Sequence, residues 1–269
     1  VYSVDISADG EYIVAGSATG DLVLFNKNSS EPLWHVAHDS DWYKDVNVAI
    51  SADGEYIAVG YDGKGSNLEF YSRNSSEPLW TSYVGSDSSG SIRVAISDDG
   101  EYIVTGSDTK LSAFNKTSGY YPQWEYDGSV RSVDISADGD YIIGAFYNSL
   151  LLFDKNSNIS IWNYSLESAY SVSISADGKY IVAGTLGEIY FFESDSSTPK
   201  WTSTVSGGDC SSNTYVSVSM SNDGKHIATV CDDFLSVYED IVSLGWSYDT
   251  DNNVKHIEIS ADGEYIVSA

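Results

Sequence analysis

The chain has 269 residues, 42% of them apolar, and its 40 acidic against 13 basic side chains give a formal charge of −27. A polyanion of that size is repelled by nucleic-acid phosphates and anionic headgroups, and no apolar run reaches the roughly eighteen residues of a membrane span. Nucleic-acid binding and direct membrane insertion are therefore excluded as first readings, while 21 Tyr, 8 Phe and 7 Trp leave ample material for a core.

Residues 1–6 open the chain directly on an alternating strand, with no initiator Met and no signal segment. The expectation is a piece of a longer polypeptide. Val4 and Ile6 alternate with Ser3, Asp5 and Ser7, which is strand periodicity. Asp9-Gly10 then reads as a tight hairpin turn in which both central residues take positive φ. Residues 12–15 form a second strand and 21–25 a third. After a polar turn, Pro32-Leu33-Trp34 begins a fourth, whose Pro suits an outer edge.

The turn recurs at Asp53-Gly54, Asp99-Gly100, Asp138-Gly139, Asp177-Gly178, Asp223-Gly224 and Asp262-Gly263, with gaps of 44, 46, 39, 39, 46 and 39 residues. Third strands end in Phe25, Tyr71, Phe114, Phe153, Phe192 and Tyr238, and fourth strands carry Trp34, Trp80, Trp124, Trp162, Trp201 and Trp246. Short strands with a period near forty specify an all-β β-propeller, since one such sheet cannot bury its faces alone. The Trp series reads as packing between blades.

The repeats fall near 1–44, 45–90, 91–129, 130–168, 169–214 and 215–253, with a partial one at 254–269, all in one domain. That gives six complete four-stranded blades plus a truncated seventh, and a seven-blade ring is favoured over six. An unfilled blade leaves a strand edge open to another chain. Residues outside this chain complete it, or a neighbouring copy does so in a homopolymer.

The stretch "SVDISADGEYIVAGSATGDLVLFNK" resembles a WD40-type repeat, with Phe25-Asn26 where that family has Trp-Asp. The tail "LFNKNSSEPLW" is similar to quinoprotein-type blades, in which a Trp closes the fourth strand. The resemblance covers the whole chain and implies a propeller. Its acidic, Ser-rich texture is similar to archaeal and bacterial cell-surface proteins. The adjacent cysteines of quinoprotein cofactor sites have no counterpart here.

Repeat length varies in the connection from fourth to first strand, where propeller loops carry function. The richest connection holds Asp39, Asp41, Trp42 and Tyr43, an aromatic and carboxylate patch suited to a sugar, a cation or a protein. The alternative is a decorated loop with Trp42 tucked against its blade. His35 and His38 lack a third ligand fixed by spacing, so no metal site is expected. Asp249, Asp251 and Asn253 lack the Gly and Glu that close a calcium loop. His226 stands at a position held elsewhere by Tyr, and His256 aligns with Ser3. No nucleophile elbow or phosphate loop occurs, so no catalytic residue, no cofactor and no enzyme activity are expected.

Cys210 and Cys231 should emerge at the same end of the sixth blade, which makes a disulfide between them the expected arrangement and points to an oxidising setting. Asn-x-Ser/Thr sequons stand at Asn28, Asn74, Asn115, Asn158 and Asn163. They are candidate glycosylation sites, although Asn and Ser also make good turns. The combined expectation is a non-enzymatic extracellular or cell-surface propeller, structural or interacting with proteins, itself included. A ligand-binding module and a quinoprotein-like enzyme are the alternatives.

Overall fold

A computed structural model of the chain describes residues 1–38, 43–63, 67–85, 91–205, 210, 214–239, 243–250, 254 and 256–268. The fold is all-β, of β-propeller type. Its first blade is an antiparallel meander of Ser3–Ile6, Tyr12–Gly16, Leu22–Asn26 and Trp34–Val36. Five more four-stranded blades repeat it over residues 43–83, 93–127, 130–165, 171–204 and 216–249. Ile257–Ile259 and Ile266–Ser268 make a two-stranded seventh. The chain divides into two compact units. One is Val1–Val130 with Lys155–Asn158, and the other is Arg131–Asp154 with Ile159–Ala269.

The hairpin turn differs from the expected one. Only its glycine lies in the left-handed region (Gly10, φ 67°), and Asp9 does not. The reason is local hydrogen bonding. The Ser7 hydroxyl donates to Asp9 Oδ1 (2.6 Å), which also accepts the Glu11 N–H (2.9 Å), and the Tyr12 N–H donates to Ser7 Oγ (3.0 Å). These bonds close a four-residue loop in which Asp9 needs no positive φ and Gly10 alone supplies it. The same hydroxyl–carboxylate pair recurs at Ser51, Ser97, Ser136, Ser175, Ser221 and Ser260.

Within the first unit, consecutive blades meet through one repeated joint. The Ala8 N–H donates to the Ala52 carbonyl (2.9 Å) and the Ala52 N–H to that of Asp98 (3.0 Å). The indoles of Trp34, Trp80 and Trp124 donate to the carbonyls of Arg73, Lys116 and Lys155, at 2.7, 3.0 and 2.7 Å. Trp34 stacks on Tyr71 and Trp80 on Phe114, with centroids 5.8 and 5.7 Å apart. Arg73 and Lys116 cap the rings of Tyr12 and Tyr56. Each joint therefore closes its polar groups while burying aromatic surface, at about 1.5–3 kcal/mol per large apolar side chain.

The second unit repeats the joint. Ala137, Ala176 and Asn222 donate in series to the carbonyls of Ala176, Asn222 and Ala261. Trp162 donates to the Ser194 carbonyl (2.8 Å) and stacks on Phe192. His226 takes the Tyr position and lies under Gly263 as Tyr180 lies under Gly224. Trp246 is the exception: it is exposed, because the two-stranded seventh sheet brings no third strand against it.

Candidate functional site

The connection after the first blade begins on the fourth strand, Trp34–Val36. His35 Nε2 lies 3.1 Å from Asp21 Oδ1. The Thr19 hydroxyl, and then His35, hold the Asp21 carboxyl below its ordinary range. His38 turns the other way. Its Nε2 is 3.5 Å from Glu69 Oε2, and its ring meets Tyr61 edge-on with centroids 4.7 Å apart. The two histidines thus hold different acids and do not converge on a shared ion. Among the described residues no group of three or more His, Cys, Asp or Glu is placed to hold a metal.

Glu69 is a buried carboxylate in the middle of the strand Asn67–Ser72. The Tyr71 hydroxyl donates to it. Burial, and then the neighbouring Tyr61 and Glu69, push the Tyr71 phenol far above its usual value, so it keeps its proton and remains a donor. A buried polar group calls for polar partners, and here the second polar neighbour, His38, comes from the connection itself. His38 therefore anchors the connection to the second blade. Asp39, Asp41 and Trp42 lie outside the described residues. Tyr43 begins the next strand, opposite Gly63.

Cys210 and Cys231 are joined, with Cα atoms 5.4 Å apart and a separation of 21 positions in sequence. Cys231 is the last residue of the second strand, Ile227–Cys231. The strand runs on because Cys231 pairs with both Val216 and Phe234.

The sequons differ in how free their side chains are. Asn28, Asn74 and Asn163 are exposed, but Asn28 Nδ2 donates to Asn26 Oδ1 (3.1 Å). Asn115 Oδ1 accepts from the Thr117 N–H and hydroxyl, and Asn158 Nδ2 donates to the Glu125 carbonyl (3.2 Å). Asn163 lies within the strand Ser160–Ser165, outside the polar turns.

Two features had not been singled out from the sequence. One is the face of the first blade. Its Val4 and Ile6 are 58% and 54% exposed, against 8% and 7% for the matching Val48 and Ile50 of the second blade. The other is a group of exposed tyrosines, Tyr147, Tyr170 and Tyr215, gathered around Arg131.

A family described as outer membrane protein assembly factor BamB matches residues 3–203, from the first strand of the first blade to the fourth strand of the fifth. No curated protein matches the chain.

Proposed function

The chain belongs to the family described as outer membrane protein assembly factor BamB, and we propose that it is a non-enzymatic, extracellular or cell-surface propeller that works by protein–protein contact. The observation that carries the reading is the family match, whose description is that of an assembly factor; the surface it is tested on is the face of the first blade where Val4 and Ile6 are exposed. In the joint between the first and second blades the same positions, Val48 and Ile50, are buried. The Ile50 N–H there donates to Asp5 Oδ2 and the Ala8 N–H to the Ala52 carbonyl. The surface that fits the bare face is thus a blade of this same repeat. A blade from a second copy is the occupant proposed. The family's description, an assembly factor, supports a protein partner as the kind of ligand.

The non-enzymatic part of the reading rests on the sequence, which carries no nucleophile elbow, phosphate loop or adjacent cysteines. A quinone cofactor with its carboxylates and metal would call for a cluster of cations and metal ligands. Retention or loss of such a cofactor is therefore the measurement that separates this reading from a quinoprotein-like enzyme. The extracellular part is supported by the Cys210–Cys231 bridge, since structural disulfides persist in oxidising compartments.

Sedimentation velocity over a hundred-fold range of protein concentration tests the reading. Association that grows with concentration, and is abolished by Val4→Asp with Ile6→Asp at unchanged circular dichroism, is expected. A chain that stays monomeric throughout overturns self-contact. A stoichiometric quinone retained after dialysis overturns the non-enzymatic assignment.

A further inference from the structure

The second unit carries a polar site unrelated to the bare face. Arg131 lies over the ring of Tyr147 at 4.7 Å and over the ring of Tyr215 at 5.6 Å. Tyr215 is stacked on Tyr170, with centroids 4.3 Å apart and planes 18° from parallel. The result is a ladder of ring, ring, guanidinium and ring. The three tyrosines are 54%, 42% and 41% exposed for Tyr147, Tyr215 and Tyr170.

The ladder is held in place. The connection that ends in Tyr170 is pinned by buried Leu166 and Ala169, and by bonds from the N–H groups of Leu166 and Ser168 to the carbonyls of Asn148 and Tyr147. Between the two anchors Ser168 takes φ 55°, a left-handed conformation that costs a non-glycine residue about 1–2 kcal/mol. That conformation lets both anchors face inward while the following Tyr170 faces outward. Strain of this kind persists where the surroundings over-determine it.

The electrostatics are the unusual part. The chain has only three arginines among forty acids. Arg73 is paired with Glu55, whereas Arg131 contacts rings and has no carboxylate partner among the described residues. Ring contacts engage the faces of a guanidinium and leave its N–H edge, which matches a carboxylate with two parallel bonds. The rings at the ends of the ladder offer stacking surface next to that edge.

We propose that Arg131, with Tyr147, Tyr170 and Tyr215, forms a recognition site for a polypeptide segment that presents a single carboxylate beside an aromatic side chain. A chain of charge −27 repels polyanions, so one acid flanked by apolar surface is favoured over an acidic polysaccharide or a phosphate-rich ligand. The site lies within the second unit and goes beyond the self-contact proposed for the first blade. Failure of either leaves the other standing.

The test uses the intact chain labelled with nitrogen-15. Three arginines give three side-chain Nε–H signals, and the one lost in Arg131→Lys identifies the site. The probe is the blocked peptide acetyl-Gly-Phe-Glu-Gly-amide. It is expected to shift that signal alone, saturably, at concentrations on the order of 1 mM. The peptide with Gln in place of Glu is expected to bind at least ten-fold more weakly, as is the acidic peptide to Tyr215→Ala. No shift, or equal shifts with the two peptides, overturns the proposal. Inorganic phosphate or glucuronate binding as tightly as the acidic peptide overturns its peptide specificity.

Discussion

The indole N–H of Trp34 donates to the backbone carbonyl of Arg73 across 2.7 Å, while the guanidinium of the same Arg73 covers the ring of Tyr12 at 4.2 Å. One residue of the second blade thus closes two polar and aromatic contacts with the first. Its side chain also pairs with Glu55 on its own blade.

The indole bond has a measurable share of the joint. Trp80 donates to the Lys116 carbonyl at 3.0 Å while stacking on Phe70 and Phe114. Trp80→Phe keeps an aromatic ring there and removes the bond, so a loss of about 1–3 kcal/mol is expected. Urea unfolding of Trp80→Phe reads the loss, and an unchanged stability would show that packing alone matters.

The glycine turns separate backbone from contact effects. Gly10 and Gly100 have the same φ, 67° and 68°. A Cβ on Gly10 meets nothing within 4 Å, whereas one on Gly100 falls 2.5 Å from Cδ2 of Tyr56. That ring cannot yield cheaply, being stacked on Phe70 with centroids 5.5 Å apart and capped by Lys116. Gly10→Ala should cost about 1 kcal/mol for the left-handed backbone. Gly100→Ala should cost roughly 1–3 kcal/mol more for the overpacking. Thermal unfolding of the pair reads the difference.

Much of this architecture was legible because its determinants are local. The Ser7, Asp9 and Gly10 turn fixes its own geometry through bonds no more than five residues apart, so a repeated word in the sequence became a repeated hairpin. The turn type was misread, since Asp-Gly alone does not reveal that Ser7 would tie Asp9 into an ordinary conformation. Glu69 was not legible at all. In a chain with forty acids a single strand carboxylate carries no signal, and its burial depends on His38 arriving from the preceding connection. Tyr147, Tyr170 and Tyr215 are similarly scattered in sequence and meet only through blade packing. The one available hint was that Arg131 and Tyr170 each stand immediately before the matched first-strand serines, Ser132 and Ser171.

The disulfide should contribute through the unfolded chain. Closing a loop with 21 residues of sequence separation is worth roughly 3 kcal/mol in the chain-entropy treatment. Cys210→Ser with Cys231→Ser is expected to lower the melting temperature by about 6–12 °C for a domain of this size. Alkylation of the denatured chain without reductant should add no mass, and two added alkyl groups would contradict the bridge.

Asp5 gives the fold a pH dependence of defined sign. Its Oδ2 accepts the Ile50 N–H of the second blade at 2.9 Å, and its Oδ1 accepts the Ile6 N–H at 2.8 Å. Burial nevertheless dominates and raises its pKa from 3.8 to about 6, against the smaller opposing effect of the two N–H groups. A carboxyl whose folded pKa lies above its unfolded one binds more protons in the folded state between those values. Unfolding free energy therefore falls as pH rises from about 4 to about 6, and the loss persists above that window. Asp5→Asn removes the ionisation while keeping one acceptor oxygen. Chemical denaturation at intervals from pH 4 to 7 should then show a shallower decline with pH in Asp5→Asn than in the parent, with the gap opening above pH 5. Parallel curves across the range would mean that the Asp5 carboxyl titrates as it does in the unfolded chain.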